Sequence, residues 1–256
     1  IAHSMGGLVV RAFAVKHPQL WKKLCDRPGT RVVMLGTPLG GSFVVPRLFL
    51  GIGKTINVIA TVDLAHSKKA LLTQFVRYHG LLQLLPADGS QSFEDTAIWN
   101  KMMTTAQSDY PVPASSDLSE YKKMLDKNFT EFQWNTDIFK YVAGKDDETP
   151  CRMEIDEGTN KVNFMSTPAG DGTVTWGSIP EGLQASTYYF EAEHGKLAAA
   201  EEAFAGIKEL IQIGNTSLLS KTKPIMRGAA KISVMSPVET VTAVNEKDFA
   251  DNIFGV

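Results

Sequence analysis

The segment AHSMGG, residues 2–7, holds a serine whose neighbours suit nucleophilic chemistry. A serine hydroxyl is a poor nucleophile until a base takes its proton and fixed donors receive the charge that develops on the attacked carbonyl oxygen. A sharp strand-to-helix turn supplies part of this. It exposes Oγ of Ser4, aims the N–H of the next residue, Met5, at the developing oxyanion, and adds the positive end of a helix dipole. Such a turn requires small residues two places before and two places after the serine, which here are Ala2 and Gly6, while Gly7 lets the helix approach the sheet. Alanine stands at the first of these places, where glycine is commoner, but adds only a methyl. Without a base, Ser4 would be an ordinary helix N-cap. Five histidines could serve: His3, His17, His66, His79 and His194. Adjacent side chains in a tight turn diverge, so His3 reads as a packing or hydrogen-bonding residue. His17 suits the C-terminal dipole of a helix, and His66 and His79 fall in a helical segment.

The elements that must position these groups follow from pattern. Leu8, Val9, Ala12, Phe13 and Val15 recur at helical spacing until Pro18, so a helix opens at the serine. Residues 19–30, with RPGT, read as a polar connection, and Val32 to Leu35 form a buried, β-branched strand ended by Gly36 and Pro38. A strand tip, a helix and a second strand make the crossover unit of a parallel α/β sheet. Gly36, Thr37, Pro38 and Leu39 then lie beyond the C-terminal end of a strand, where such sheets bind ligands. They are read either as lining of an acyl pocket or as a plain turn. Residues 42–135 show helical patterns and no strand, which predicts a helical insertion rather than a long structureless loop. Apolar residues there, such as Leu71, Leu72, Phe75, Leu81, Leu82, Leu84 and Leu85, have core spacing and only hint at a greasy substrate site. Strand signals at 139–144, 162–165 and 186–192 predict completion of the same sheet. Residues 195–213 predict a long amphipathic helix closed by Gly214. From Lys221 the chain reads as a linker followed by short β-prone pieces outside that sheet.

With these elements in order, AHSMGGLVVRAFA resembles the nucleophile elbow of the α/β-hydrolase superfamily. VVMLGTPLGGS is similar to the strand and loop after it in the lecithin:cholesterol acyltransferase-like and related lipase branches. The resemblance implies an acid and a histidine later in the chain, in the order Ser, Asp, His. AGDGTVTWGSIP is similar to the acid loop and nominates Asp171 over its rivals Asp146 and Asp147. YYFEAEHGKL nominates His194 as the general base. Ser4 would attack a carbonyl, His194 would carry its proton to the leaving group, and Asp171 would fix the imidazole tautomer. The implied architecture is the C-terminal part of an α/β-hydrolase fold, a mostly parallel sheet flanked by helices. Its core would be residues 1–41 and 136–214, with a helical cap or lid at 42–135 and a linker or following domain at 215–256. Because the chain opens at the elbow, it reads as N-terminally incomplete. The second oxyanion-hole donor would lie in the missing part, and the segment alone is expected to be inactive. The implied function is cleavage of carboxylic esters of lipid-like character. Acyl transfer by the same triad, or a non-catalytic interaction module of a multidomain protein, are the alternatives.

Composition bounds the partners. The chain has 256 residues, 43% of them apolar and 21% charged, with 28 acidic and 26 basic side chains and a formal net charge of −2. This suits a globular protein with a small-molecule substrate, without the basic field that recruits nucleic acid. No apolar run reaches the about 20 residues of a transmembrane helix. Cys25 and Cys151 have neither metal-binding nor redox spacing, which favours a reducing, cytoplasmic setting. No cofactor or metal is implied, since neither glycine pair, 6–7 or 40–41, makes a dinucleotide fingerprint.

Overall fold

A computed structural model describes residues 1–63, 65–87, 89–130, 132–226, 231–235 and 240–243. These residues fall into two compact units. One holds the described residues of 1–40, 126–149 and 168–228, the other those of 41–125, 150–167 and from 229 on. In chain order the strands are β1 (Ala2–His3), β2 (Val32–Leu35), β3 (Phe139–Ala143), β4 (Thr149–Asp156), β5 (Lys161–Thr167), β6 (Thr187–Tyr189), β7 (Lys231–Met235) and β8 (Thr240–Ala243).

The first unit is α/β. Its sheet has the order β1-β2-β3-β6, and every neighbouring pair is parallel. The register aligns His3 with Leu35, Leu35 with Val142, and Val142 with Tyr188. The residues that follow these strands, Ser4, Gly36, Gly144 and the segment up to His194, therefore emerge at one edge, where parallel sheets with helical crossovers present their ligand-binding loops. Val33, Leu35, Val142 and Tyr188 pack with Leu197, Ala203, Ile207 and Leu210, so an apolar sheet face is buried against the final helix. At about 25 cal/mol per Å² of apolar surface, burial of this kind is the main stabilising term.

Helix α1 (Gly6–Lys16) buries Gly7, Leu8, Arg11 and Ala14, while Val9 is exposed. The buried stripe is thus narrower than the apolar pattern, and it includes a charged residue. Arg11 donates to the carbonyl of Leu39 at 3.4 Å, and burial lowers its guanidinium to about 10. Pro18 disfavours helical backbone at the residue before it, and His17 accordingly leaves the helix at φ −128°, ψ 59°. The segment expected as a polar connection instead begins with α2 (Pro18–Cys25). Proline at the first helical position costs nothing, because its missing N–H would have had no partner there.

The second unit carries α3 (Val44–Phe49), α4 (Lys54–Val62), α5 (Lys68–Phe75), α6 (His79–Leu82), α7 (Thr96–Thr105) and most of α8 (Ser115–Thr130). Leu72, Leu82, Leu85, Phe49, Phe93 and Trp99 are buried in its core, together with Met153, Val162 and Phe164. Those last three expose a correction. Residues 162–165 do not complete the parallel sheet but belong to a second sheet of order β4-β5-β7-β8, in which β5–β7 and β7–β8 are antiparallel. The alternation in VNFMS buries Val162 and Phe164 among helices of the second unit. The β-prone pieces after Lys221 are paired there as well, outside the parallel sheet. The rest of the tail, residues 227–230, 236–239 and 244–256, lies outside the described residues.

Back in the first unit, α9 (Glu181–Gln184) precedes β6, and α10 (Glu201–Gln212) is shorter than the 195–213 pattern. Its expected first turn is instead a 3₁₀ turn over His194–Lys196. Gly214 stands just past the cap with φ +82°, and its N–H returns to the carbonyl of Glu209 at 3.2 Å, as a C-terminal glycine does.

Candidate active site

Ser4 sits between β1 and α1 with φ +53°, in the left-handed region that non-glycine residues seldom occupy. Such backbone costs about 1–3 kcal/mol and persists only where surroundings dictate it. Here the N–H of Ser4 is bound to the carbonyl of Leu35 at 2.9 Å, and its own carbonyl accepts from Gly7 at 3.2 Å. The neighbouring strand fixes one side of the peptide and the opening helical turn the other. Met5 is the N-cap of α1, whose first turn contains no acidic side chain to offset the dipole.

The small residues act unequally. A methyl on Gly6 would make only ordinary contact with Ala2, at 3.7 Å, whereas one on Gly7 would run into the side chain of Thr37. Gly7 is therefore the glycine that permits the close approach of helix and loop. Thr37 is fully buried, and its Oγ1 has no hydrogen-bond partner among the described residues. Its carbonyl accepts from the Tyr141 hydroxyl at 2.7 Å. Burial, with the charge of Asp171 and then Tyr189 adding to it, pushes the Tyr141 phenol well above its ordinary range. Pro38 and Leu39 are also buried, so the segment 37–39 packs inside the unit against α1 and β3.

Three side chains from separate loops meet at the sheet edge. Nε2 of His194 lies 2.8 Å from Oγ of Ser4, and its Nδ1 lies 2.9 Å from Oδ2 of Asp171. A carboxylate only accepts, so Nδ1 carries the proton and Nε2 offers a lone pair to the serine hydroxyl. Asp171 is 2% exposed. Its Oδ1 accepts from the backbone N–H of Thr173 at 3.0 Å and of Val174 at 2.7 Å. The turn that holds it relies on Gly172 at φ +89°, whose N–H donates to Oγ1 of Thr149 at 2.8 Å. The rival acids point elsewhere: Oδ1 of Asp146 accepts from the N–H of Asp147, and Asp147 pairs with Lys145 at 3.3 Å on the surface.

Two further glycines form the floor under the Asp171–His194 pair, where the sequence marks Gly36 only as a strand end in the loop with Thr37–Leu39 and Gly144 only as the last residue of a strand signal. Gly36 has φ +53°, and a Cβ there would lie 2.7 Å from Oδ2 of Asp171 and 3.0 Å from Nδ1 of His194. A Cβ on Gly144 would meet the carbonyl of Ala192 and, at 2.8 Å, Cβ of Asp171. A glycine directly after a buried strand was the available signal, but it is shared by many ordinary turns.

His3 is the remaining participant. Its Nε2 lies 2.9 Å from the backbone carbonyl of His194, and the two rings are 5.1 Å apart. Of the other histidines, His66 pairs with Asp63 and His79 with Asp117, both exposed, and the ring of His17 lies tilted against that of Phe13 with centroids 5.5 Å apart. Among the described residues no group of acidic, histidine or cysteine side chains could hold a metal ion, and no helix is long and apolar enough to cross a membrane.

The arrangement can move a proton from a hydroxyl to an imidazole while a buried carboxylate balances the resulting charge. A scan against protein-family models finds no match to this chain, and a search of curated proteins finds none either.

Proposed function

We propose that this chain is a serine hydrolase that cleaves carboxylic esters through an acyl-enzyme, of the α/β-hydrolase type and akin to the lecithin:cholesterol acyltransferase-like lipases. The observation that carries the reading is the unbroken path Ser4–His194–Asp171, with both links below 3.0 Å. Oγ of Ser4 attacks the ester carbonyl as its proton passes to Nε2 of His194. The N–H of Met5 at the start of α1 serves the oxyanion. Collapse of the tetrahedral intermediate returns the proton from Nε2 to the departing alcohol and leaves an acyl-serine. Water attacks this ester with His194 again as base, releasing the acid and restoring Ser4. Asp171 keeps Nδ1–H facing inward throughout and steadies the imidazolium.

An apolar acyl group is favoured by the rim beside the nucleophile. Met5 and Val9, one turn apart on α1, are 47% and 62% exposed. Side chains four apart lie on one helix face, so together they present an apolar strip next to Ser4.

The test is reaction of the full-length protein with a fluorophosphonate, followed by mass mapping of the adduct. The expected result is a single adduct on Ser4, abolished in Ser4→Ala. A folded protein that stays unlabelled, or is labelled elsewhere, overturns the proposal.

A further inference from the structure

We infer that His3 is a positioning residue for this reaction, holding the backbone of the general base through its imidazole Nε2–H. The inference rests on the hydrolase reading above and adds a role for the residue just before the nucleophile.

The argument starts from how His194 is held. It lies in a three-residue 3₁₀ turn between β6 and α10, not on a strand or a long helix, so regular structure does little to orient it. Its polar atoms are bound individually instead. The backbone N–H donates to the carbonyl of Asp171 at 2.7 Å, Nδ1–H donates to Oδ2 of the same residue, and Nε2 accepts from Ser4. The backbone carbonyl accepts from Nε2 of His3 at 2.9 Å. A carbonyl has no proton to give, so His3 is the donor and its Nε2 is protonated.

Two of these four bonds, at Nδ1 and Nε2, are the links of the catalytic path, and a third ties the backbone N–H to Asp171. The fourth comes from His3, whose own backbone is held in β1 opposite Leu35 of β2. A strand residue 191 positions away in sequence thus anchors the base loop to the strand that delivers the nucleophile. Asp171 restrains the N-terminal side of His194, and His3 restrains its C-terminal side. Without the latter the peptide after His194 can rotate, swinging Nε2 relative to Oγ while leaving the Asp171 contacts in place. Misplacement of reacting groups by about 1 Å costs on the order of a hundredfold in rate.

Two substitutions separate this role from simple packing. His3→Leu fills similar space and removes the donor. His3→Gln places an amide N–H where Nε2 stood. The expected outcome for full-length protein is a loss of about ten- to a hundredfold in kcat for His3→Leu with KM within about twofold, and recovery to within about threefold of wild type in His3→Gln. Both variants should melt alike. Equal kcat in the two variants, or a loss confined to KM, overturns the role. A proton NMR spectrum gives a readout that does not depend on turnover. The downfield resonance of the His194 Nδ1–H bound to Asp171 is expected to stay sharp in wild type and His3→Gln and to broaden in His3→Leu. Should wild type fail to react with the fluorophosphonate, the hydrolase reading falls. The resonance alone then decides whether His3 holds His194, and an unchanged line in His3→Leu refutes it.

Discussion

Gly36→Ala is the perturbation whose consequences the geometry defines most sharply. The new methyl meets two obstacles. The backbone at φ +53° is left-handed, costing an L-residue about 1–2 kcal/mol relative to glycine. The methyl carbon itself would stand 2.7 Å from Oδ2 of Asp171 and 3.0 Å from Nδ1 of His194, whose mutual separation is only 2.9 Å. Neither atom is the loose end of a flexible chain, because Asp171 is clamped by Thr173 and Val174 and His194 by three partners. Relief must come from moving the acid and base apart, at about 1–3 kcal/mol as for other overpacked sites. Together these terms give a loss of about 2–5 kcal/mol in stability and about a hundredfold in kcat. Gly29→Ala is the control. Gly29 has φ +80° and no described atom within 4 Å of the added carbon, so it pays the backbone cost alone and should keep wild-type kcat within about twofold. Urea unfolding and ester turnover on the three proteins check both numbers. If Gly36→Ala keeps kcat within a factor of two while losing no more stability than Gly29→Ala, the claim that this glycine seats the Asp–His pair is refuted.

Two further outcomes are expected. Asp171→Asn should lower kcat by about 10⁴ with little change in Tm, because an amide NH₂ facing Nδ1 forces the proton onto Nε2, which can then no longer accept from Ser4. Stopped-flow turnover checks this, and a loss below tenfold contradicts the role of Asp171. Alkaline stability should fall as pH rises through about 10. Burial raises the phenols of Tyr141, Tyr121, Tyr188 and Tyr189 in the folded chain, so they stay protonated where the unfolded chain releases their protons. The folded state then binds more protons than the unfolded one and loses stability with each step upward in pH. Absorbance at 295 nm followed beside a denaturant midpoint at pH 8 and pH 11 tests this, and a pH-independent midpoint contradicts it.

The parts of the fold that could be read from sequence are those governed by local chemistry. Val32 to Leu35 is a strand because four consecutive apolar residues, the first two β-branched, end at a glycine. The turn at Ser4 is written in the small residues around it, and Gly214 marks a helix end because only glycine takes left-handed backbone cheaply. The failures have a different physics. PQLWKKLC looks polar in sequence, but its proline starts a helix instead of ending one. VNFMS alternates as any half-buried strand does, and nothing local says that its partner is a segment about seventy residues later and not the strand at 139–143, since β pairing is decided by tertiary context. Gly36 and Gly144 act by the absence of a side chain at a crowded spot, which becomes visible only when Asp171 and His194 have arrived there. His3 reads in sequence as a packing or hydrogen-bonding residue, and its bond to the carbonyl of His194 depends on a contact across 191 residues.

The distribution of hydrogen bonds around the site also sets an order of dependence among its members. Asp171 is held by the N–H groups of Thr173 and Val174 and by the bond from its own N–H to the carbonyl of Val174, none of which involves His194. Asp171 should therefore keep its orientation when the side chain of His194 is removed. His194 has no such independence. Its N–H and Nδ1 both end on Asp171, Nε2 ends on Ser4, and its carbonyl ends on His3. Ser4 in turn is fixed by Leu35 and the first turn of α1, whether or not an imidazole is present. The turns at Ser4 and Asp171 are thus preformed anchors, and His194 is the one member whose place is defined by its bonds to Asp171, Ser4 and His3. This explains why the structure can spare a long helix at His194 but not the glycine beneath it, for a residue at the start of a three-residue turn is located only as well as the space left for it.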